Sequence, residues 1–265
     1  LNIGEFLSTL PQDVVQGKEM SLPDSVVRKM FKLAGIRKSD IFYHLGCGNA
    51  NAVVLAAREY GVKKAVGVEP DRKLAARAKK ATAGLKNTEI LQGSLLDADI
   101  SKATLVFFWS SDPDLADAMV QKFESLKARA RVVTLWSPPG MMLPHKIDFP
   151  FIACKKPFKY ARSVRQQIKA VYGTKCIDFT ASWLLAERFI DAIEVVPDEY
   201  RRFVNMLQSM VIWINAWNMG VTCEDGVPPP VTTYIGILRE FFGIDMSDMF
   251  VRKPKDESMT PPADM

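Results

Sequence analysis

Histidine and cysteine are scarce in this chain: its 265 residues include two of the first and four of the second. His44 and His145 stand in unrelated contexts, so neither a metal site nor a Ser-His-Asp triad has enough to build from. Cys47, Cys154, Cys176 and Cys223 are scattered without a C-x-x-C pair, which argues against a zinc ribbon, a thioredoxin motif and a secreted disulfide framework. Long apolar runs are missing as well. Stretches such as Met210 to Ile214 fall far short of a membrane span, and no N-terminal segment joins a basic flank, an apolar core and a small-residue cleavage site. The expectation is a cytoplasmic protein without a membrane anchor. With 48% apolar and 25% charged residues, the composition is that of an ordinary globular chain able to bury a large core.

What is present is an alternation of strand and helix. Pro23 and Asp24 open a helix whose apolar face is Val26, Val27, Met30, Phe31 and Ala34, and Gly35 stops it. Ile41 to Leu45 reads as a buried strand running into Gly46-Cys47-Gly48, and a helix over about Asn51 to Tyr60 follows. Ala65 to Glu69 is a second strand, and Asp71 caps a basic helix to Ala83. Thr88 to Gln92, Leu105 to Trp109 and Arg131 to Trp136 are further strands, with a helix after Asp112-Pro113. Lys146-Ile147 and Phe151 to Cys154 make a closing hairpin. Such alternation with short connections implies a parallel sheet covered on both faces. Beyond Phe158 the strand signals fade. Tyr160 to Val171, Phe179 to Ile193 and Asp198 to Met219 read as helices, with Asp178 and Asp198 as caps. Pro228-Pro229-Pro230 breaks the chain before a last helix over Thr232 to Phe242.

The chemistry concentrates where the first two strands end. Glycines at Gly46 and Gly48 let backbone approach a ligand closely, and the amides of the following helix start favour an anionic group. An acid ending the second strand, Glu69, can accept both hydroxyls of a ribose. A nicotinamide dinucleotide would ask for a third glycine at position 51, where Asn51 stands. S-adenosylmethionine, with a carboxylate and an ammonium in place of a pyrophosphate, suits this loop better.

The run "SLPDSVVRKMFKLAGIRKSDIFYHLGCGNANAVVLAAREYGVKKAVGVEPD", continued by "ILQGSLLDADISKATLVFFW", resembles the class I, seven-strand methyltransferases. It is most similar to the archaeal protein-lysine methyltransferases and related histone-lysine methyltransferases. Their pattern has a Pro-containing helix start, a D-L-G-x-G-x-G loop, a G-[IV]-E turn and a Q-G-D third-strand end, and the likeness covers about residues 21 to 158. It implies that Gly46, Cys47 and Gly48 border the methionine moiety, with His44 and Asn49 at loop positions where the family has Asp. Glu69 would bind the ribose, Pro70 would lie beside the adenine, and Ser94 and Leu95 would flank its edge. Trp109 and Asp112 would lie near the transferable methyl group; no catalytic residue is assigned. The departures are His44 and Asn49 for Asp, Ala50 for Gly, and Ser94 for an adenine-reading Asp. They sustain an alternative, a catalytically degenerate scaffold or polyanion-binding protein. The loop after the fourth strand, Trp109-Ser110-Ser111-Asp112-Pro113, lacks the Asn/Asp-Pro-Pro-aromatic motif of nucleic-acid base methylases.

Two features lie outside that resemblance. From Phe149 to Ile177 there is no acid and there are seven bases. Of these, Arg162, Arg165 and Lys169 share one helical face by spacing, a candidate grip for nucleic acid or an acidic protein. In the third C-terminal helix, Phe203, Met206, Leu207, Met210, Ile214 and Trp217 form an apolar stripe widened by Val204, Val211 and Trp213, from which a homodimer interface is expected. The expected architecture is therefore α/β: a Rossmann-like, doubly wound seven-strand sheet with a C-terminal α-helical domain. Its parts are an arm at 1–20, a methyltransferase-like domain at 21–158, the helical domain at 159–250 and a disordered tail at 251–265. The expected activity is S-adenosylmethionine-dependent methylation, by resemblance of a protein lysine, with no metal.

Overall fold

A computed structural model describes residues 22–250 apart from 111, 247 and 248; the expected arm and tail lie outside the described residues. Seven strands form one sheet in the order β3-β2-β1-β4-β5-β7-β6. They are β1 (Ile41–Leu45), β2 (Lys64–Glu69), β3 (Thr88–Gln92), β4 (Leu105–Phe108), β5 (Arg131–Leu135), β6 (Lys146–Asp148) and β7 (Phe151–Lys155). The first five run parallel, and β7 pairs antiparallel with both β5 and β6. The fold is the α/β doubly wound sheet that the alternation implied.

Helices α1 (Asp24–Ala34) and α2 (Asn51–Arg58) cover one face, where Phe31 stacks on Phe107 at 4.7 Å and meets Phe42 edge-on at 5.1 Å. Gly35 ends α1 at φ 62°, the left-handed stop that glycine supplies without strain. On the other face, α4 (Pro113–Phe123) brings Met119 and Phe123 against Tyr43, Val106 and Phe108. The basic helix α3 (Arg72–Ala81) buries only Ala75 and Ala78. Covered on both sides, β4 has no exposed residue, which is why it reads as an unbroken apolar run.

Four helices follow the sheet: α5 (Val164–Tyr172), α6 (Phe179–Ile193), α7 (Arg201–Asn218) and α8 (Pro229–Phe242). They pack back onto it. Phe149, in the β6–β7 turn, shares a core with Ile168, Leu185 and Ile212. Ile193 enters the core under α1, and Glu194 accepts from Ser25 Oγ at 2.7 Å and pairs with Lys29. Asp178 caps α6 by accepting from the Ala181 N–H at 2.6 Å. Asp198 does not cap α7; it opens a separate 3-10 turn at Asp198–Tyr200. The prolines at 229 and 230 start α8 rather than interrupt the chain, because a first helical turn has no use for their missing N–H groups.

The structure bears on two further expectations. The broad stripe on α7 is covered within the chain: Met210, Trp213 and Ile214 are fully buried against Val231 and Leu238 of α8, with Trp217 packed alongside. Both sides of α7 pack on sister helices, while Phe203, Val204, Met206, Leu207, Val211 and Trp217 stay partly exposed, so the stripe is accounted for largely within the chain and does not by itself require a homodimer. Cys176 and Cys223 are joined as a disulfide across 47 residues of sequence. No local spacing announces that pair, because folding of α6 and α7 alone brings the two ends together. Among the described residues, no helix is long and apolar enough to cross a membrane.

Candidate active site

The site begins where β1 ends, between β2 and β4. In a doubly wound sheet this is the crevice at which the chain's order reverses and ligands bind. Past Leu45 the backbone turns through Gly46 at φ 79° and Gly48 at φ 55° before Ala50, also left-handed at φ 69°, opens α2. The Gly46 and Cys47 N–H groups both donate to the Val68 carbonyl, at 2.9 and 3.0 Å, and this folds the loop over the end of β2.

There the loop meets Glu69. The Glu69 carboxylate is 6% exposed; Oε2 accepts from the Gly48 N–H at 2.7 Å and Oε1 from the Asp71 N–H at 3.0 Å. A carboxylate offers about four acceptor positions, of which the described residues fill two. Asp71 itself caps α3 through the Leu74 N–H, which fixes the turn after Pro70. Gly93 donates to the Glu69 carbonyl at 3.1 Å, bringing the loop after β3 alongside. On that loop Ser94 is exposed, with Oγ accepting from the Leu96 N–H, and Leu95 is buried.

Cys47 lies in the loop, but its side chain turns into the core. The thiol is buried, and that burial, with the nearby Glu69 charge, pushes its pKa up to about 12. It faces Gly67, a residue the motif reading passed over. A Cβ on Gly67 would stand 2.6 Å from Cys47 Sγ and 2.8 Å from Ile90 Cδ1. The visible signal was a glycine inside an otherwise apolar strand.

His44, one residue inside the strand end, is 6% exposed, and among the described residues neither ring nitrogen has a hydrogen-bond partner. Its ring lies 4.9 Å from that of Trp109. Burial lowers its pKa to about 4, so the imidazole is neutral near pH 7. Leu45 is in register with Phe108, so Trp109 emerges beside the glycine loop. Asp112 is occupied as the cap of α4, its Oδ1 accepting from the N–H groups of Asp114 and Leu115 at 2.9 and 3.2 Å. Asn49 is exposed, its Oδ1 accepting from the Asn51 N–H.

The expected basic stripe does not assemble as one helical face. Ser163 caps α5, so Arg162 precedes the helix. Arg165 donates to the Gly220 carbonyl at 3.2 Å, and Lys169 is exposed.

Comparison with known proteins bears on this crevice. The family described as "Histone methylation protein DOT1" matches residues 19–96. A "Protein-lysine N-methyltransferase" from Saccharolobus islandicus (strain REY15A) is 34% identical over 120 residues, covering 42% of this chain and 71% of that protein. The chain belongs to the class I methyltransferases, lysine-methyltransferase-like. Among solved structures, an RNA methyltransferase from Salinibacter ruber in complex with S-adenosyl-L-homocysteine is 28% identical. It covers 55% of this methyltransferase and 99% of its own chain, at a TM-score of 0.49. A dimethyladenosine transferase from Plasmodium falciparum is 21% identical, covering 44% of this chain and 43% of its own, at a TM-score of 0.38.

Proposed function

We propose that this methyltransferase transfers the methyl group of S-adenosylmethionine to the side-chain amine of a lysine in a protein. The relative from Saccharolobus islandicus, named a protein-lysine N-methyltransferase, supports the substrate class. The observation that carries the cofactor placement is the buried Glu69 carboxylate, tied to Gly48 and Asp71 with acceptor positions that no described residue fills.

The residues present suit the cofactor. A methyl group placed on Gly46 or Gly48 would meet no described residue within 4 Å, so the described part of the chain leaves space over the loop. Glu69 would take the ribose hydroxyls, while Pro70, Ser94 and Leu95 would border the adenine. Gly46, Gly48 and Asn49 would edge the methionine end, and of Cys47 only the backbone is available there. The two nitrogens of His44, unpartnered among the described residues, give this buried corner one donor and one acceptor where the family has a carboxylate. A degenerate scaffold is the less favoured reading, because the glycine turns and Glu69 are arranged as a binding crevice.

When bound, S-adenosylmethionine supplies a methyl group on a sulfonium, activated for in-line attack. The chain then has to align the incoming amine and keep it neutral, which is mostly positioning. Trp109 would wall the amine's approach; an apolar ring there lowers the amine pKa by disfavouring the ammonium. Asp112, held as a helix cap, would serve the loop's shape.

The test is transfer of label from methyl-labelled S-adenosylmethionine into a panel of purified proteins, with mass spectrometry locating the methyl groups. Methyl groups on lysine are expected. Label entering RNA and no protein would overturn the substrate class.

A further inference from the structure

The opposite edge of the sheet holds a second concavity. A cavity of about 540 Å³ opens where β1, β4 and β5 begin, between the C-terminal end of α1 and the β6–β7 hairpin. Its walls are hollowed by small residues, Ala34, Gly35, Ala128, Ala130 and Ala153. Five cationic residues line it, Arg37, Arg129, Arg131, Lys146 and Lys155, against a single carboxylate, Asp40.

That carboxylate is already paired. Arg131 pairs with Asp40 and also donates to the carbonyls of Ala34 and Gly35, at 2.8 and 2.7 Å. The other four cations are exposed, and none makes an ion pair or side-chain hydrogen bond with a described residue. They come from three segments: the turn after α1, the turn before β5 and the β6–β7 hairpin, which brings one cation from the start of β6 and one from the end of β7. Arg129 holds φ at 67°, a backbone state uncommon for a residue with a side chain.

We propose that this groove is a binding site for a ligand carrying at least two neighbouring phosphate groups. Among the described residues these four cations have no counter-charge, and one monovalent anion does not balance four cations, so the groove favours a multiply charged anion. Two of the four are arginines, whose planar forks match phosphate oxygens in pairs. The volume suits a nucleotide-sized group and lies within the range of small-molecule sites. The shared chemistry has two sources, a free nucleotide or the backbone of a single-stranded nucleic acid. Because the groove lies at the strand starts and the glycine loop at the strand ends, such a ligand would not compete with the cofactor.

The experiment is calorimetric titration of the full chain with pyrophosphate, with ATP and with a short single-stranded RNA. It is run on the wild type, on the Arg37→Gln/Lys146→Gln/Lys155→Gln variant and on an Arg165→Gln/Lys169→Gln control, with a glutamate oligomer as competitor. All substituted positions are exposed, and thermal melts verify that each variant folds. The expected result is at least a tenfold loss of affinity in the groove variant and none in the control. Binding of pyrophosphate and ATP identifies free nucleotides as the source. Binding of RNA alone identifies the polymer backbone, with a salt slope that shrinks in the variant by about 0.7 for each phosphate no longer neutralised. No binding of any probe, equal binding by wild type and groove variant, or displacement by the glutamate oligomer at equal charge would overturn the proposal.

Discussion

Glu69 is where a single side chain reports on the site. Glu69→Ala removes an ionised acceptor, and hydrogen bonds to charged groups are worth about 1.5–3 kcal/mol. S-adenosylmethionine affinity is therefore expected to fall at least about tenfold by calorimetry; an unchanged affinity would take Glu69 out of the site. His44 gives a pH signature. Its folded pKa of about 4 lies below the ordinary 6.5, so between those values the unfolded chain binds a proton that the folded chain refuses. Stability is full above pH 6.5 and declines as pH falls. Between pH 7 and pH 5 the loss from this group is about 2 kcal/mol. Urea denaturation of the wild type and His44→Phe at both pH values should show that part of the slope vanish in the variant. Gly67→Ala, with its new Cβ 2.6 Å from Cys47 Sγ, is expected to lower stability by about 1–3 kcal/mol. Adding Cys47→Ala should restore part of that loss, and strict additivity of the two substitutions would refute the contact. At this scale the sequence was most legible where backbone geometry demands a residue type, as at Gly46 and Gly48, both at positive φ. It was least legible at Gly67 and at the Cys47 side chain, whose roles depend on what a neighbouring strand places opposite them.

At the scale of elements, boundaries announced by local chemistry were readable in advance: Gly35 as a stop, Asp178 and Asp71 as caps, the alternating strands. Those set by competition were not. Ser163 takes the cap that moves the start of α5 past Arg162, and Pro229 and Pro230 find a use in the first turn of α8. Least visible are the ties between elements. Arg131 and Asp40 stand 91 residues apart in sequence, yet their pair joins the end of α1 to the starts of β1, β4 and β5. Asp40 and Arg131 side chains are only 5% and 15% exposed, so removing one partner strands a charge in a poorly hydrated place. Asp40→Asn is expected to cost about 3 kcal/mol, measured by chemical denaturation. A change below about 0.5 kcal/mol, the size of an ordinary surface substitution, would mean that water screens the pair.

Across the whole molecule, the C-terminal helices are bound to the sheet layer by packing and to one another by a covalent link. Trp213 is fully buried between α7 and α8, so Trp213→Glu is expected to unfold the helical region and lower its circular dichroism. A folded variant with a changed sedimentation coefficient would instead revive the dimer expected from the stripe. The Cys176–Cys223 bond closes a loop of 47 residues, for which chain entropy predicts about 4 kcal/mol of stabilisation. Cys176→Ala with Cys223→Ala should melt well below the wild type, and the wild type in reductant should approach the variant. The amino-acid order shows neither the buried tryptophan nor the bond, since both depend on how α6, α7 and α8 meet. The closed loop also governs what a protease would release. The connection from Glu194 to Pro197, between α6 and α7, lies inside the ring. A chain nicked there keeps both pieces in one molecule, migrates undivided on a non-reducing gel and comes apart only when the bond is reduced.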